Sequence, residues 1–110
     1  TLSKINSYHT SLFAYFLEKM RTTPDGDGSM LDSTAIVFGS AISDGNAHSY
    51  TDLPILLFSG GKGQIKQDRH LRFAKDTPMS NLYLTILGNL GIPLENFGDS
   101  TGKLEPLSLV

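Results

Sequence analysis

The sequence predicts an α/β fold, a mostly parallel sheet flanked by helices, and three observations lead to this prediction. Apolar residues recur at three- and four-residue steps near both ends of the chain, which indicates two amphipathic helices. Two runs between them are continuously apolar, as is typical of strands covered on both faces. The order helix, strand, strand, helix places one helix on each face. With roughly three strands, we expect part of a three-layer sandwich rather than a complete one.

The first helix is expected over about residues 2–21. Ile5, Leu12 and Phe16 fall on one apolar stripe at helical spacing. His9 lies on the same stripe, where a hydrogen-bonded core or interface histidine is the favoured interpretation. The stretch 22–33 is rich in proline, glycine and aspartate, which predicts a solvated loop.

Two buried strands are expected in the middle of the chain, at 34–39 and 53–58, where the residues are apolar and partly β-branched. A polar stretch joins them. A shorter, more exposed strand is predicted at 69–73, after a glycine-rich turn.

The second helix has clear signals at both ends. Thr77 followed by Pro78 is a pattern typical of a helix start, and Gly91 with Pro93 predicts the end. Leucine and isoleucine at helical spacing form the apolar stripe between these signals.

Composition limits the classes of protein that fit. A chain of 110 residues with 39% hydrophobic and 18% charged residues fits one soluble globular unit. We interpret residues 1–110 as a single α/β unit, and the incomplete sheet predicts that it is the carboxyl-terminal fragment of a larger domain. The formal charge of -2 argues against a nucleic-acid partner. No apolar run reaches the roughly 18 residues of a membrane span, and the lack of cysteine excludes disulfides and thiolate sites.

The best candidate site follows the first buried strand. In open α/β sheets, ligands bind beyond the carboxyl ends of the strands, where this sequence has Asp44, Asn46 and His48. A carboxylate and an imidazole can bind a divalent cation, zinc or else calcium or magnesium. Asn46 could add a neutral oxygen or a hydrogen bond to substrate. The alternative is that Asp44 and Asn46 form Asx turns and that His48 caps or packs the end of the loop.

Basic side chains are concentrated between residues 62 and 75. They could hold phosphate, sulfate or an acidic glycan, with Arg69 and Arg72 as the candidate substrate-binding residues. The alternative is that alternating charge keeps an exposed sheet edge soluble. The six basic residues of this stretch are Lys62, Lys66, Arg69, His70, Arg72 and Lys75.

Several motifs together resemble a family of mostly exported bacterial proteins, the domain of unknown function 1552 family. The resemblance covers about two thirds of the chain and implies a periplasmic or extracellular location, with the remainder of the parent chain as a partner. The motifs that carry it are SDGNAH at 43–48, LPILL at 53–57, RHLR at 69–72, TPMSNL at 77–82 and FGDSTG at 97–102.

More distantly, the order of elements is similar to the last part of the alkaline phosphatase and sulfatase superfamily. There, a metal-binding Asp-His pair follows a strand and another metal-binding histidine comes later. Asp44 matches the aspartate, but Gly45 stands where the adjacent histidine belongs. The resemblance implies His48 as a displaced ligand and His70 as the later one, with the catalytic nucleophile upstream of these residues.

Two functions therefore stay open. The first is a metal-assisted hydrolase of phosphate or sulfate esters, in which Asp44 and His48 help to hold the cation. The second is a noncatalytic extracytoplasmic binding or structural protein that keeps a hydrolase-like scaffold, as Gly45 suggests. A small anionic ester or an acidic glycan is the expected partner.

Overall fold

A computed structural model describes residues 1–60 and 65–105 of the chain. Within those ranges the chain forms two helices and two small antiparallel sheets, each of two strands. In chain order the elements are α1 (Leu2–Thr22), β1 (Pro24–Asp25), β2 (Gly28–Ser29), β3 (Ala35–Gly39), β4 (Ile55–Ser59) and α2 (Met79–Asn89).

The prediction of a mostly parallel sheet in a partial three-layer sandwich was wrong. β3 pairs with β4 in the antiparallel sense, with Ala35 opposite Ser59 and Gly39 opposite Ile55. Parallel neighbours need a crossover connection, usually a helix. Residues 40–54 contain no helix, so the chain returns directly and the two strands run in opposite directions. The parallel sheet that the resemblance to alkaline phosphatases implied is therefore not formed by the described residues.

Both faces of the β3–β4 pair carry apolar side chains, as the sequence predicted for its two buried strands. Side chains alternate along a strand, and Val37 and Leu57 pack towards the buried residues of α2. On the other face, Phe38 and Phe58 contact Phe13 of α1, with ring centroids 4.2 and 5.6 Å away. This alternation explains why both strands are apolar at nearly every position. Their side chains are at most partly buried, and Leu56 is exposed, because a pair of strands has two open edges.

Helix α1 packs on the body of the protein through its second half alone. Phe13 is its one buried residue, and Leu17 and Met20 are partly buried. The Thr1 hydroxyl accepts a hydrogen bond from the Lys4 amide at 3.5 Å at the start of the helix.

The region after α1 is more ordered than the predicted loop at 22–33. The helix ends before Pro24, since the residue before a proline is pushed out of the helical region, and Thr23 is extended. Pro24 then pairs with Ser29, and Asp25 with Gly28, in a short hairpin. Gly26 occupies the turn at φ 58°, a conformation that glycine adopts readily.

Helix α2 is confirmed. It begins at Met79 after Pro78, but Thr77 does not cap it: the Thr77 hydroxyl donates to the Ala74 carbonyl at 2.7 Å. Leu84 is the most buried large side chain, and the remaining buried apolar residues near α2 are Leu82, Ile86 and Leu104.

Candidate functional site

The loop at residues 43–49 is closed by its own backbone. The Ser43 amide donates to the Ser49 carbonyl at 2.9 Å, and the Ser49 amide donates to the Asp44 carbonyl at 3.0 Å. The Asp44 Oδ1 atom accepts from the amides of Asn46 and Ala47, at 2.9 and 3.1 Å. Asp44 therefore forms the Asx turn that the sequence left open as the alternative to a metal ligand.

Asp44, Asn46 and His48 lie in this one turn, and all three are exposed to solvent. His48 has a left-handed backbone with φ 53°, which allows the chain to complete the turn before Ser49. His70, the third predicted ligand, lies on a different segment, after β4.

The three predicted ligands are not brought together in one group of the described residues. A zinc site needs at least three protein ligands, and the part of the chain that the structure describes has no group of three or more His, Asp or Glu side chains placed to hold an ion. One oxygen of Asp44 is also occupied by two backbone N–H groups. Zinc, calcium or magnesium binding thus stays a prediction, and the described residues supply no complete coordination sphere for it.

The basic residues after β4 do not form the predicted strand at 69–73. Residues 69–74 have no regular secondary structure, so they are not an edge strand of either described sheet. Lys62, the first of the six basic residues, lies outside the described residues. We call residues 66–75 the basic segment.

The basic segment is fixed by apolar residues and exposes its charged ones. Ile65 is 6% exposed, and Leu71 packs against the buried residues of α2. His70 and Arg72, on either side of Leu71, are exposed, as is Arg69. Within residues 69–73, Leu71 is the one side chain that is partly buried, and its charged neighbours face solvent.

The cations of the basic segment are not paired with carboxylates of the described residues. The Arg69 Nε atom donates to the Lys66 carbonyl at 3.1 Å, which is a bond to backbone. Within the described ranges, the ion pair found is that of Arg21 with Glu18, at 2.7 Å, on exposed α1. The hydrogen bond from Arg21 lowers the pKa of Glu18 below its ordinary value of 4.5.

The sequence did not indicate that two of its motifs bind each other. The Asn81 side chain donates to the Thr101 hydroxyl at 3.0 Å and accepts from the Thr101 amide at 2.8 Å. Beside them, the Ser80 hydroxyl donates to the Asp99 carboxylate. Residues 77–82 and 97–102, two separate motifs in the sequence, therefore meet in one contact.

A third contact extends this arrangement along α2. The Thr85 hydroxyl donates to the Asn81 carbonyl at 2.9 Å and accepts from the Leu104 amide at 2.7 Å. Asn81 and Thr85 are buried, so these bonds fasten the segment after α2 to the helix. The available signal was the polar residues at helical spacing, Asn81 and Thr85, on the same helix as the apolar stripe. We call the bonds made by Ser80, Asn81 and Thr85 the α2 polar network.

Comparison with known proteins adds no assignment. No family model, no curated protein and no solved structure matches the chain. The resemblances to the domain of unknown function 1552 family and to alkaline phosphatases consequently stay predictions. Of the described helices, none is long and apolar enough to cross a membrane.

Proposed function

We propose that this chain is an extracytoplasmic binding unit that takes an acidic glycan on the basic segment. The observation that carries the proposal is the exposure of Arg69, His70 and Arg72 on a segment held by Ile65 and Leu71. Cations displayed in this way are available to a ligand, because they are not used to neutralise described carboxylates of the same chain.

The chemistry of these side chains favours carboxylate or sulfate groups. A guanidinium presents a planar set of N–H donors that matches the two oxygens of a carboxylate or the oxygens of a sulfate. Arg69 and Arg72 are the residues to which we assign this role. Lys66 and Lys75, both exposed, add positive charge at the two ends of the segment. Asn46 lies in the separate 43–49 turn, and no described contact links it to the basic segment.

The distribution of charge favours a polymer over a single small ester. Five basic residues within ten positions span up to about 30 Å if extended, which one phosphate or sulfate ester cannot contact at once. Asp68 interrupts the positive charge and Asp76 follows the segment; both have a left-handed backbone, with φ 57° and 63°. A glycan with repeated, separated acidic groups fits such spacing. Because the whole chain has a formal charge of -2, attraction is expected to be local and sensitive to salt.

Titration with heparin, as a sulfated polysaccharide, and with polygalacturonate, as a carboxylated one, tests the proposal. We expect Arg69→Ala combined with Arg72→Ala to weaken binding about tenfold or more. The matched control is Lys4→Ala combined with Lys19→Ala, which removes the same charge from exposed positions of α1 and should leave affinity within about twofold. Equal losses in the two double variants would show general charge attraction instead, and unaltered binding in the arginine variant would refute the assignment.

The alternative ligand, a single small anionic ester, is tested with inorganic phosphate and sulfate under the same conditions. The proposal expects them to bind much more weakly than the polysaccharides, because each occupies only one guanidinium at a time. If phosphate or sulfate competed with heparin at equal concentrations of anionic groups, a compact site for a small anion would replace the glycan.

The metal-assisted hydrolase stays a prediction and has its own test. Asp44 and His48 are exposed in one turn, so zinc titration of the whole chain can be compared with Asp44→Ala and His48→Ala. Weaker zinc binding in both variants would support the metal prediction. Identical binding in all three proteins would refute these residues as ligands, and neither result affects the test of the basic segment.

A further inference from the structure

The first half of α1 extends beyond the body of the protein. Every residue from 1 to 12 is exposed, including large apolar side chains. Leu2 is 69% exposed, and further along the helix Phe16 is still 45% exposed. Six such side chains on one helix form a patch that a monomer rarely leaves in water. Its members are Leu2, Ile5, Tyr8, Leu12, Tyr15 and Phe16.

The spacing of this patch is that of a helix-pairing seam. Leu2, Ile5, His9, Leu12 and Phe16 are separated by alternating steps of three and four residues, which is the a and d pattern of a coiled coil. The seam is distinct from the side of the helix that already has neighbours. Phe13, which packs on Phe38 and Phe58, falls next to the seam and leaves it free.

We propose that α1 pairs in the antiparallel sense with α1 of a second copy of this chain, making a symmetric dimer. One register brings four of the five seam positions opposite one another. In it Ile5 faces Phe16 of the second copy and His9 faces Leu12. A two-fold axis then lies between residues 10 and 11, and each contact occurs twice, as a closed isologous interface requires.

Residues beside the seam fit the same register. Tyr8 and Tyr15 of the second copy lie on the same flank of the helix pair, two residues or about 3 Å from being level, so that two exposed rings on each chain gain a neighbour, a favourable arrangement for aromatic side chains. Leu2 lies opposite Lys19, whose ammonium group can reach solvent while its methylene groups cover the leucine. The antiparallel sense also sets each helix N-terminus against a C-terminus, which favours the dipole interaction.

The available area is sufficient for such a dimer. The six side chains are 45 to 69% exposed, and with roughly 150–250 Å² for each ring and somewhat less for each aliphatic side chain they offer about 600 Å² per copy. Two copies would bury about 1,200 Å², the lower end of the range for specific complexes. The two-fold axis also places the β3–β4 pair of each copy beside the exposed first half of the other α1.

Analytical ultracentrifugation of the whole chain over a concentration series tests the proposal. We expect a monomer–dimer equilibrium, and Ile5→Glu combined with Phe16→Glu should weaken it at least about a hundredfold, because both residues of one facing pair become charged. Ser7→Glu is the matched control: Ser7 is exposed on the side of α1 opposite the seam, and the dimer should persist. A wild-type chain that stays monomeric at all concentrations would overturn the proposal, as would loss of the dimer in the Ser7 control alone.

Disulfide trapping tests the register and the direction of the helices. The chain has no cysteine of its own, so His9→Cys and Leu12→Cys chains can be prepared separately and mixed before mild oxidation. The proposed register predicts cross-linking between the two different variants, at least several times faster than within either one alone. Faster self-linking of each single variant would show a parallel pair instead and would refute the antiparallel arrangement.

Discussion

The two helices have similar apolar periodicity but very different surroundings. α2 is half the length of α1, yet six of its residues are buried, whereas α1 has one. α2 packs on one face of the β3–β4 pair and is also held by the segment after it. α1 contacts the opposite face through Phe13 and leaves most of its own apolar stripe in solvent.

This difference teaches that periodicity predicts which face of a helix is apolar, but not whether the same chain covers it. The apolar face of α2 is covered in part by Leu104, which follows the helix in sequence and is held by the α2 polar network. For α1, the described residues supply cover for the second half alone. The α1 seam is therefore an apolar surface that the described residues leave in solvent.

The largest difference in stability between the two helices is expected when one leucine in each is shortened to alanine. We expect Leu84→Ala to lower the free energy of unfolding by about 3 kcal/mol, because a fully buried side chain leaves a cavity. Leu12→Ala removes the same atoms from a side chain that is 46% exposed, and should cost less than about 1 kcal/mol in the monomer. Urea unfolding at a concentration where the chain is monomeric measures both. Equal losses would show that α1 is packed as firmly as α2.

Asparagine substitution tests the α2 polar network. Asn81→Ala removes both bonds that this buried side chain makes to Thr101, so we expect a loss of about 2 kcal/mol. Asn6→Ala is the control, since Asn6 is exposed on α1 and its loss should have little effect on unfolding. If Asn81→Ala proved as mild as the control, the segment after α2 would not depend on this contact.

A threonine pair gives a finer comparison, because the two hydroxyls make the same bond within their own helices. Thr85 donates to the Asn81 carbonyl, and Thr10 donates to the Asn6 carbonyl. Only Thr85 is buried and also accepts a bond, from the Leu104 amide. Thr85→Val should thus cost about 1 to 2 kcal/mol by urea unfolding, while Thr10→Val should be close to neutral. A neutral Thr85 variant would contradict a role for its hydroxyl in holding Leu104.

The smallest effect is expected at the exposed Glu18–Arg21 pair. Because Arg21 lowers the pKa of Glu18, the stabilisation is present above the ordinary carboxyl pKa and is lost as pH falls through the lowered value. Glu18→Gln should therefore have a small effect near neutral pH and none in strong acid, since exposed pairs contribute little. Thermal unfolding across this pH range checks the sign. A variant that became relatively less stable in acid would contradict it.

Much of the local structure could be predicted from the sequence. The two helices and the positions of β3 and β4 follow from the apolar runs and their spacing, and the ends of α2 follow from Pro78, Gly91 and their neighbours. The direction of the strands could not be read from apolar runs, since Val37 and Phe38 have neighbours on opposite faces whether strands run parallel or antiparallel. The useful signal was the connection at 40–54, which has no helical period and therefore favours a direct antiparallel return.

The residues of the candidate site could be predicted from the sequence, but their hydrogen bonds and packing could not. The sequence placed Asp44 and His48 in one loop, yet an aspartate two residues before an amide donor equally forms an Asx turn, and that local bond is formed here. The basic segment was recognised by its charge. Its anchoring by Leu71 required the tertiary structure, because the contact joins residues far apart in sequence. The same holds for Asn81 and Thr101.

Amide hydrogen exchange at two protein concentrations tests most directly whether the two helices differ in what covers them. We predict that α2 is strongly protected at both concentrations, and that protection of residues 2–12 of α1 rises markedly at the higher one, where a second copy covers the seam. Equal exchange of α1 at both concentrations, at a level matching α2, would contradict the account, because α1 would then be fully stabilised within a single chain.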